Sequence, residues 1–200
     1  MFNHAENSMM AYMLRADCLQ RWPLMYGSRE TVMEHTFSVA LIAHRLAVYG
    51  LEMGEDIDPN SVAVKALFHE AAEMGGVGDI PGPLKRATPE MHAAVKALEC
   101  RAEESMVECI SSDFAREYYR DILIQGKVPA REKQVVKFAD ELQMLLKCCK
   151  EVNSGNGEFS TALDEQRSLV DVMARDHKIV ALFMENEFPL CISTLDNLQK

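Results

Sequence analysis

Residues Asn60 to Lys85 read NSVAVKALFHEAAEMGGVGDIPGPLK. Asp58-Pro59 stands just before them, an N-cap residue followed by a proline suited to the first helical position. Apolar residues recur at helical spacing up to Met74, so the stretch predicts a helix that stops at Gly75-Gly76. Inside that run lie His69, Glu70 and Glu73. Burying ionisable groups without partners is costly, so the segment is either a site or the solvated end of a helix. On a continuous helix His69 and Glu73 are about 40° apart and Glu70 is about 100° from His69. HEAAE approaches the zinc-protease pattern H-E-x-x-H, but Glu73 stands where the second histidine is required, which excludes that chemistry.

The same helical pattern extends in both directions. A first helix is expected from Ala5 to Gln20, broken by Pro23. Thr31 to Glu34 forms a capping box that starts a helix at Val32, with Gly50 as its stop near Tyr49. Thr88-Pro89 starts a helix reaching Ile110, and Ser112-Asp113 one reaching Gln125. Pro129 opens a helix that reaches Val152 before NSGNG ends it, and a last long helix is expected from Phe159 to Asn186. No hairpin signal or sustained alternation is present, so the fold class is all-α, a bundle of about six or seven helices. No repeat or linker divides the chain, and residues 1–200 are expected to form one domain.

Composition narrows the function classes. The formal net charge of −10 argues against a nucleic-acid polymer or an anionic membrane as partner, while leaving room for a small anionic ligand. No apolar run is long enough to span a membrane, and the first residues lack a signal-peptide pattern, so the expected location is the cytoplasm. The six cysteines form no C-x-x-C pair, which suits reduced, packed thiols.

Taken singly, the remaining polar residues have ordinary readings. His35 and His44 are nine residues apart, about 180° around one helix, so they cannot share a site, and His44 is expected to pack in the core or bind a carbonyl. Asp140 falls at the edge of an apolar arc, as boundary carboxylates do. Arg21 can grip a phosphate and Trp22 can stack on a sugar or base, or anchor its loop. Asp79 suits a turn, and Lys85 reaches a phosphate or solvent.

Their order along the chain says more. His35, His69-Glu70 and Asp140 resemble the His…His-Asp…Asp pattern of the HD-domain metal-dependent phosphohydrolases, which are all-α bundles. RWPLM, E-x-V-x-EH, VALIAHRLA, GDIPGPLK, VKFADEL and GNGEF are similar, in the same order, to segments of the bacterial 5′-deoxynucleotidase family. The resemblance implies that His35, His69, Glu70 and Asp140 bind one divalent cation. Mn²⁺, Co²⁺, Fe²⁺, Ni²⁺ and Zn²⁺ all suit such donors, and Mg²⁺ is compatible. It implies that Glu73 positions water or moves a proton, that Arg21 binds phosphate, and that Trp22 and Asp79 favour deoxyribose. Lys85 joins the phosphate end. The substrate implied is a deoxyribonucleoside 5′-monophosphate, and the implied assembly is a homodimer or higher homo-oligomer.

Two departures from the pattern stand out. Glu70 replaces the usual aspartate, adding about 1.5 Å of reach. The stretch from Glu73 to Asp79 is one residue longer than the pattern and is rich in glycine. A widened loop would suit a longer phosphate chain, so a deoxynucleoside triphosphate triphosphohydrolase is the alternative. Loss of chemistry through Glu70 would leave a non-catalytic nucleotide-binding protein, a more remote alternative.

Overall fold

The computed structural model describes residues 3–199. Over these residues the fold is all-α, and the one β-type pairing is an isolated antiparallel bridge between Gln20 and Thr31. In chain order the helices are α1 (Met9–Met13), α2 (Val32–Glu52), α3 (Pro59–Leu67), α4 (Gly82–Lys85) and α5 (Pro89–Glu108). They continue with α6 (Asp113–Leu123), α7 (Ala130–Asn153), α8 (Ser160–Asp176), α9 (Lys178–Asn186) and α10 (Phe188–Cys191). The count among the described residues exceeds the six or seven expected. Part of the excess is α1, α4 and α10, each of four or five residues and too short to show a period.

Local signals set most helix starts. Thr31 and Glu34 form the capping box before α2: Thr31 N–H donates to Glu34 Oε2 (2.7 Å) and Glu34 N–H to Thr31 Oγ1 (3.1 Å). Asp58 accepts from Asn60 N–H, Thr88 from Met91 N–H and Ser112 from Ala115 N–H, at the heads of α3, α5 and α6.

Four expected boundaries are corrected. The first helix does not fill Ala5 to Gln20: Asn7 takes φ 57 and turns the chain before α1, and a 3₁₀ turn, Leu14–Asp17, follows it. α2 runs through Gly50 to Glu52, and Gly54, at φ 85, is where the chain turns. α3 stops at Leu67, short of Met74. The last long helix splits at His177, whose extended backbone (φ −133, ψ 108) separates α8 from α9. The His177 ring lies 4.4 Å from that of Phe138, a tertiary contact that no local pattern foretells.

The chain divides into two compact units, residues 1–37 with 64–133 and residues 38–63 with 134–200. The first is built on a core of Met9, Met13, Val32, Ala71, Met74, Met106, Val107, Leu123 and Ile124, with Phe68 and Tyr119 packed at its edge. Buried Lys65 in this unit pairs with Glu132 and lies 3.9 Å from Asp121, which satisfies a cation that burial would otherwise penalise. In the second unit Glu187 accepts from Arg45 Nε (2.7 Å) and Tyr49 Oη (3.0 Å), and Gln166 on α8 donates to the backbone and side chain of Glu141 on α7. No described helix is long and apolar enough to cross a membrane.

Candidate active site

The capping box fixes the first turn of α2, and His35 follows it there, fully buried, with its N–H donating to the Thr31 carbonyl (3.0 Å). His69 comes from the turn after α3. Phe68 N–H donates to Lys65 O, His69 N–H to Ala66 O and Ala71 N–H to Phe68 O. These i→i+3 bonds tighten the chain and end α3, so the angles expected from one continuous helix do not apply. The tightened turn brings His69 to His35, their Nε2 atoms 3.2 Å apart.

His69 Nδ1 lies 2.7 Å from the Ala66 carbonyl. A carbonyl only accepts, so Nδ1 carries a proton, and in the neutral ring Nε2 then keeps its lone pair for a cation. Two imidazole nitrogens bound to one cation at ordinary bond lengths stand roughly 3.0–3.4 Å apart. The 3.2 Å spacing fits that requirement. Glu70 Oε1 lies 3.6 Å from His69 Nε2 and 3.9 Å from His35 Nε2, adding negative charge beside the pair.

Beyond Glu70 the chain forms a π-helical turn, Glu73–Val77, closed by Gly78 N–H donating to Glu73 O at 3.1 Å. The turn holds Gly76 at φ 110, a conformation that favours glycine. Glu73 is buried, and its Oε2 has no hydrogen-bond partner. Its pKa is pushed up to about 9, first by burial and then by the charges of Glu70 and Asp79, against the opposing pull of Arg21 and Lys85. Lys85 Nζ stands 3.8 Å from Glu73 Oε1 and 3.1 Å from Glu99 Oε1. Burial opposes its charge, but Glu99, with Glu73 and Glu70, outweighs that and raises its pKa above the ordinary value.

The loop between Gln20 and Thr31 carries Arg21 and Trp22. Arg21 N–H donates to the Glu30 carbonyl (2.8 Å), closing the loop. Trp22 sits at φ 59, and Asp79 Oδ2 accepts its backbone N–H at 3.0 Å. Buried Glu30 Oε2 accepts from Trp22 Nε1 (3.2 Å) and lies 3.6 Å from Arg21 Nη1. That distance exceeds a hydrogen bond, and Arg21 Nη1 is buried without an acceptor.

The structure thus gathers His35, His69 and Glu70, and separately ties Glu73 to Lys85 and Trp22 to Asp79 within the first unit. Asp140 belongs to the second unit, on α7, where Lys137 Nζ donates to its Oδ2 at 2.9 Å. Of the two readings of His44, the packed one is corrected: it is exposed, because the buried stripe of α2 passes through Ala43 and Leu46. Two residues lie outside the expectations from sequence. Glu30 orients both Arg21 and Trp22, and its only sequence signal is its place in E-x-V-x-EH. His4 hydrogen-bonds to Gly75 in the π turn, and no local pattern marks it.

Residues 8–191 match the family described as 5′-deoxynucleotidase YfbR-like. A 5′-deoxynucleotidase of Shewanella oneidensis is 34% identical over 194 residues, covering 96% of this chain and 97% of that protein. An HD-domain phosphohydrolase from Listeria innocua shares the fold with a TM-score of 0.78 at 21% identity, covering 96% of this chain and 91% of the other. The cyanophage S-2L HD phosphohydrolase DatZ, solved with dA and one catalytic Zn²⁺, superposes with a TM-score of 0.61 at 21% identity, covering 91% and 95%.

Proposed function

Since the chain belongs to the YfbR-like 5′-deoxynucleotidase family and hydrolyses deoxyribonucleoside 5′-monophosphates, we propose that it does so with one divalent cation held by His35, His69, Glu70 and Asp140. The observation that carries the proposal is the pair of imidazole Nε2 atoms 3.2 Å apart beside the Glu70 carboxylate. His35, His69 and Asp140 each offer one ligand atom of a type that transition-metal ions accept. When bound, such a cation polarises a phosphoryl oxygen and lowers the pKa of a bound water. Zn²⁺ is the ion named with DatZ, and Mn²⁺, Co²⁺, Fe²⁺ and Ni²⁺ suit the same donors.

The chain's own residues supply the rest. Arg21 Nη1 is a buried donor without an acceptor, and a phosphate oxygen would satisfy it. Lys85 stays charged and adds a second cation for the phosphate end. Glu73, buried and with an unpaired Oε2, is the group that moves a proton or orients the attacking water. Trp22, braced by Asp79 and Glu30, is the surface that meets the sugar and leaves no room for a 2′-hydroxyl.

The same reading places the enzyme in the cytoplasm as a homo-oligomer with no nucleic-acid polymer as partner. All six thiols are free, as a reducing compartment favours. Met33, Phe37 and Leu41, exposed at i, i+4 spacing on α2, supply apolar surface for a second copy.

The test is a substrate panel. Protein loaded in turn with each candidate metal is incubated with dNMPs, rNMPs and dNTPs, with and without chelator, and products are separated by chromatography. Orthophosphate from dNMPs, abolished by chelator, is the expected result. The widened turn at Glu73–Val77 favours one other outcome, release of tripolyphosphate from dNTPs. Nucleotide binding without turnover under any metal would reduce the protein to a nucleotide-binding one.

A further inference from the structure

The N-terminal segment reaches the backbone of the π turn through His4. His4 Nε2 lies 3.0 Å from the Gly75 carbonyl, and His4 Nδ1 lies 2.9 Å from Ser105 Oγ on α5. The carbonyl only accepts, so Nε2 carries a proton toward Gly75, and Nδ1 pairs with the Ser105 hydroxyl. The His4 ring meets Tyr12 edge-on at 4.5 Å. Three residues on, Asn7 N–H donates to Cys109 O, and Asn7 Oδ1 accepts from Ser111 N–H and Oγ. His4 and Asn7 therefore clamp the segment along α5 and its C-terminal end.

Gly75 is what the clamp holds. It is buried in the π turn, and a Cβ there would meet Met106 Cγ at 3.0 Å, so the backbone is already pressed against α5. Its carbonyl lies near the end of a helical turn, where the chain leaves before later N–H groups can return to it. His4 satisfies that carbonyl from outside the turn. Glu73, two residues earlier, opens the same turn and carries the unpaired carboxylate oxygen.

We propose that His4 is a positioning residue for Glu73: by holding the Gly75 carbonyl and the Ser105 hydroxyl, it locks the π turn in the geometry that presents the Glu73 carboxyl to the site. The proposal rests on the reading of Glu73 as the proton-moving group. It is independent of which cation binds.

The test compares His4→Leu, His4→Gln and Ser105→Ala in the full chain, by steady-state kinetics on dNMPs and by amide exchange at Gly78, whose N–H closes the turn onto Glu73. His4→Leu should lower kcat about tenfold with KM changed less than about twofold, the size expected for one lost hydrogen bond felt in the transition state. Exchange at Gly78 should quicken by about the same factor. The Gln amide can donate to the same carbonyl, so His4→Gln should recover kcat to within about threefold. Ser105→Ala should lose less than His4→Leu, and it removes only a hydroxyl should the leucine variant fail to fold. An unchanged kcat in His4→Leu, or a His4→Gln variant as slow as His4→Leu, overturns the proposal. If the wild-type protein turns over no nucleotide, the acid–base reading of Glu73 fails by itself, and the Gly78 exchange alone decides whether His4 locks the turn.

Discussion

Asp79 holds Trp22 by its backbone, accepting the N–H through Oδ2 at 3.0 Å although the two residues are 57 apart in sequence. Trp22 needs that support, because a bulky side chain at φ 59 is strained by roughly 1–2 kcal/mol. The carboxylate thus acts on the indole's placement and, on the proposed role of Trp22, through it on the sugar.

Asp79→Ala should therefore do two things. Stability to urea should fall by about 1–2 kcal/mol, the cost of leaving a strained N–H unpaired. The preference for dNMPs over rNMPs, taken as the ratio of kcat/KM values, should narrow as Trp22 loosens. Asp79→Asn keeps an oxygen acceptor and should retain most of both. An alanine variant with undiminished preference would separate Asp79 from sugar selection.

Glu70→Asp examines the longer carboxylate beside the histidines. If Glu70 binds the cation, the shorter side chain should keep or raise activity, and calorimetric metal affinity should change less than about tenfold. A collapse of metal binding in Glu70→Asp would mean that the site is built around the extra methylene. Glu70→Ala should weaken metal binding in either case.

Glu73→Gln removes a proton-moving group while keeping shape and a hydrogen-bonding amide. On the acid–base reading kcat should fall by about 10²–10⁴-fold with KM nearly unchanged. Metal affinity should stay close to wild type, since Glu73 is not among the proposed ligands. A variant with kcat near wild type would remove Glu73 from the chemistry.

Glu103 offers a pH signature at a residue that is not among the proposed ligands. Its carboxyl is buried on α5 and accepts Gln125 N–H at 3.0 Å. Burial pushes its pKa up to about 7, opposed by the Gln125 hydrogen bond and assisted by Glu99. The folded protein therefore holds one more proton than the unfolded chain between the ordinary carboxylate value of 4.5 and about 7. Stability should decline as pH rises through that window, and the loss should persist above it. Glu73 adds a slope of the same sign that reaches to about 9. Comparing metal-free wild type with Glu103→Gln isolates the Glu103 part. The variant should be more stable at pH 8 by on the order of 2 kcal/mol and equal near pH 4. Equal stability at both pH values would mean that Glu103 titrates normally.

Much of this was legible in the sequence, and the reasons are local. Capping residues fix helix starts, so Thr31-Glu34, Asp58-Pro59, Thr88 and Ser112 announce α2, α3, α5 and α6. Helix ends depend on what the chain meets next. Leu67 ends α3 because residues 65–71 tighten into i→i+3 bonds that carry His69 to His35, and periodicity alone favours a longer helix. His35, His69 and Glu70, which the fold brings together, could be named because residue type and order along the chain single them out. Glu30 and His4 could not, since their roles arise from partners brought near only by folding: Trp22 and Arg21 for one, Gly75 and Ser105 for the other.

The π turn at Glu73–Val77 has a consequence for how this chain can vary. Adding a residue to an α-helix swings everything downstream by about 100°. Here the chain between Glu73 and Asp79 passes through one wide turn, whose closing bond spans from Gly78 back to Glu73. The chain leaves that turn with Asp79 still able to reach Trp22. Slack in such a segment lies at Gly78, where a Cβ would meet nothing within 4 Å, and not at Gly75, which is pressed against α5.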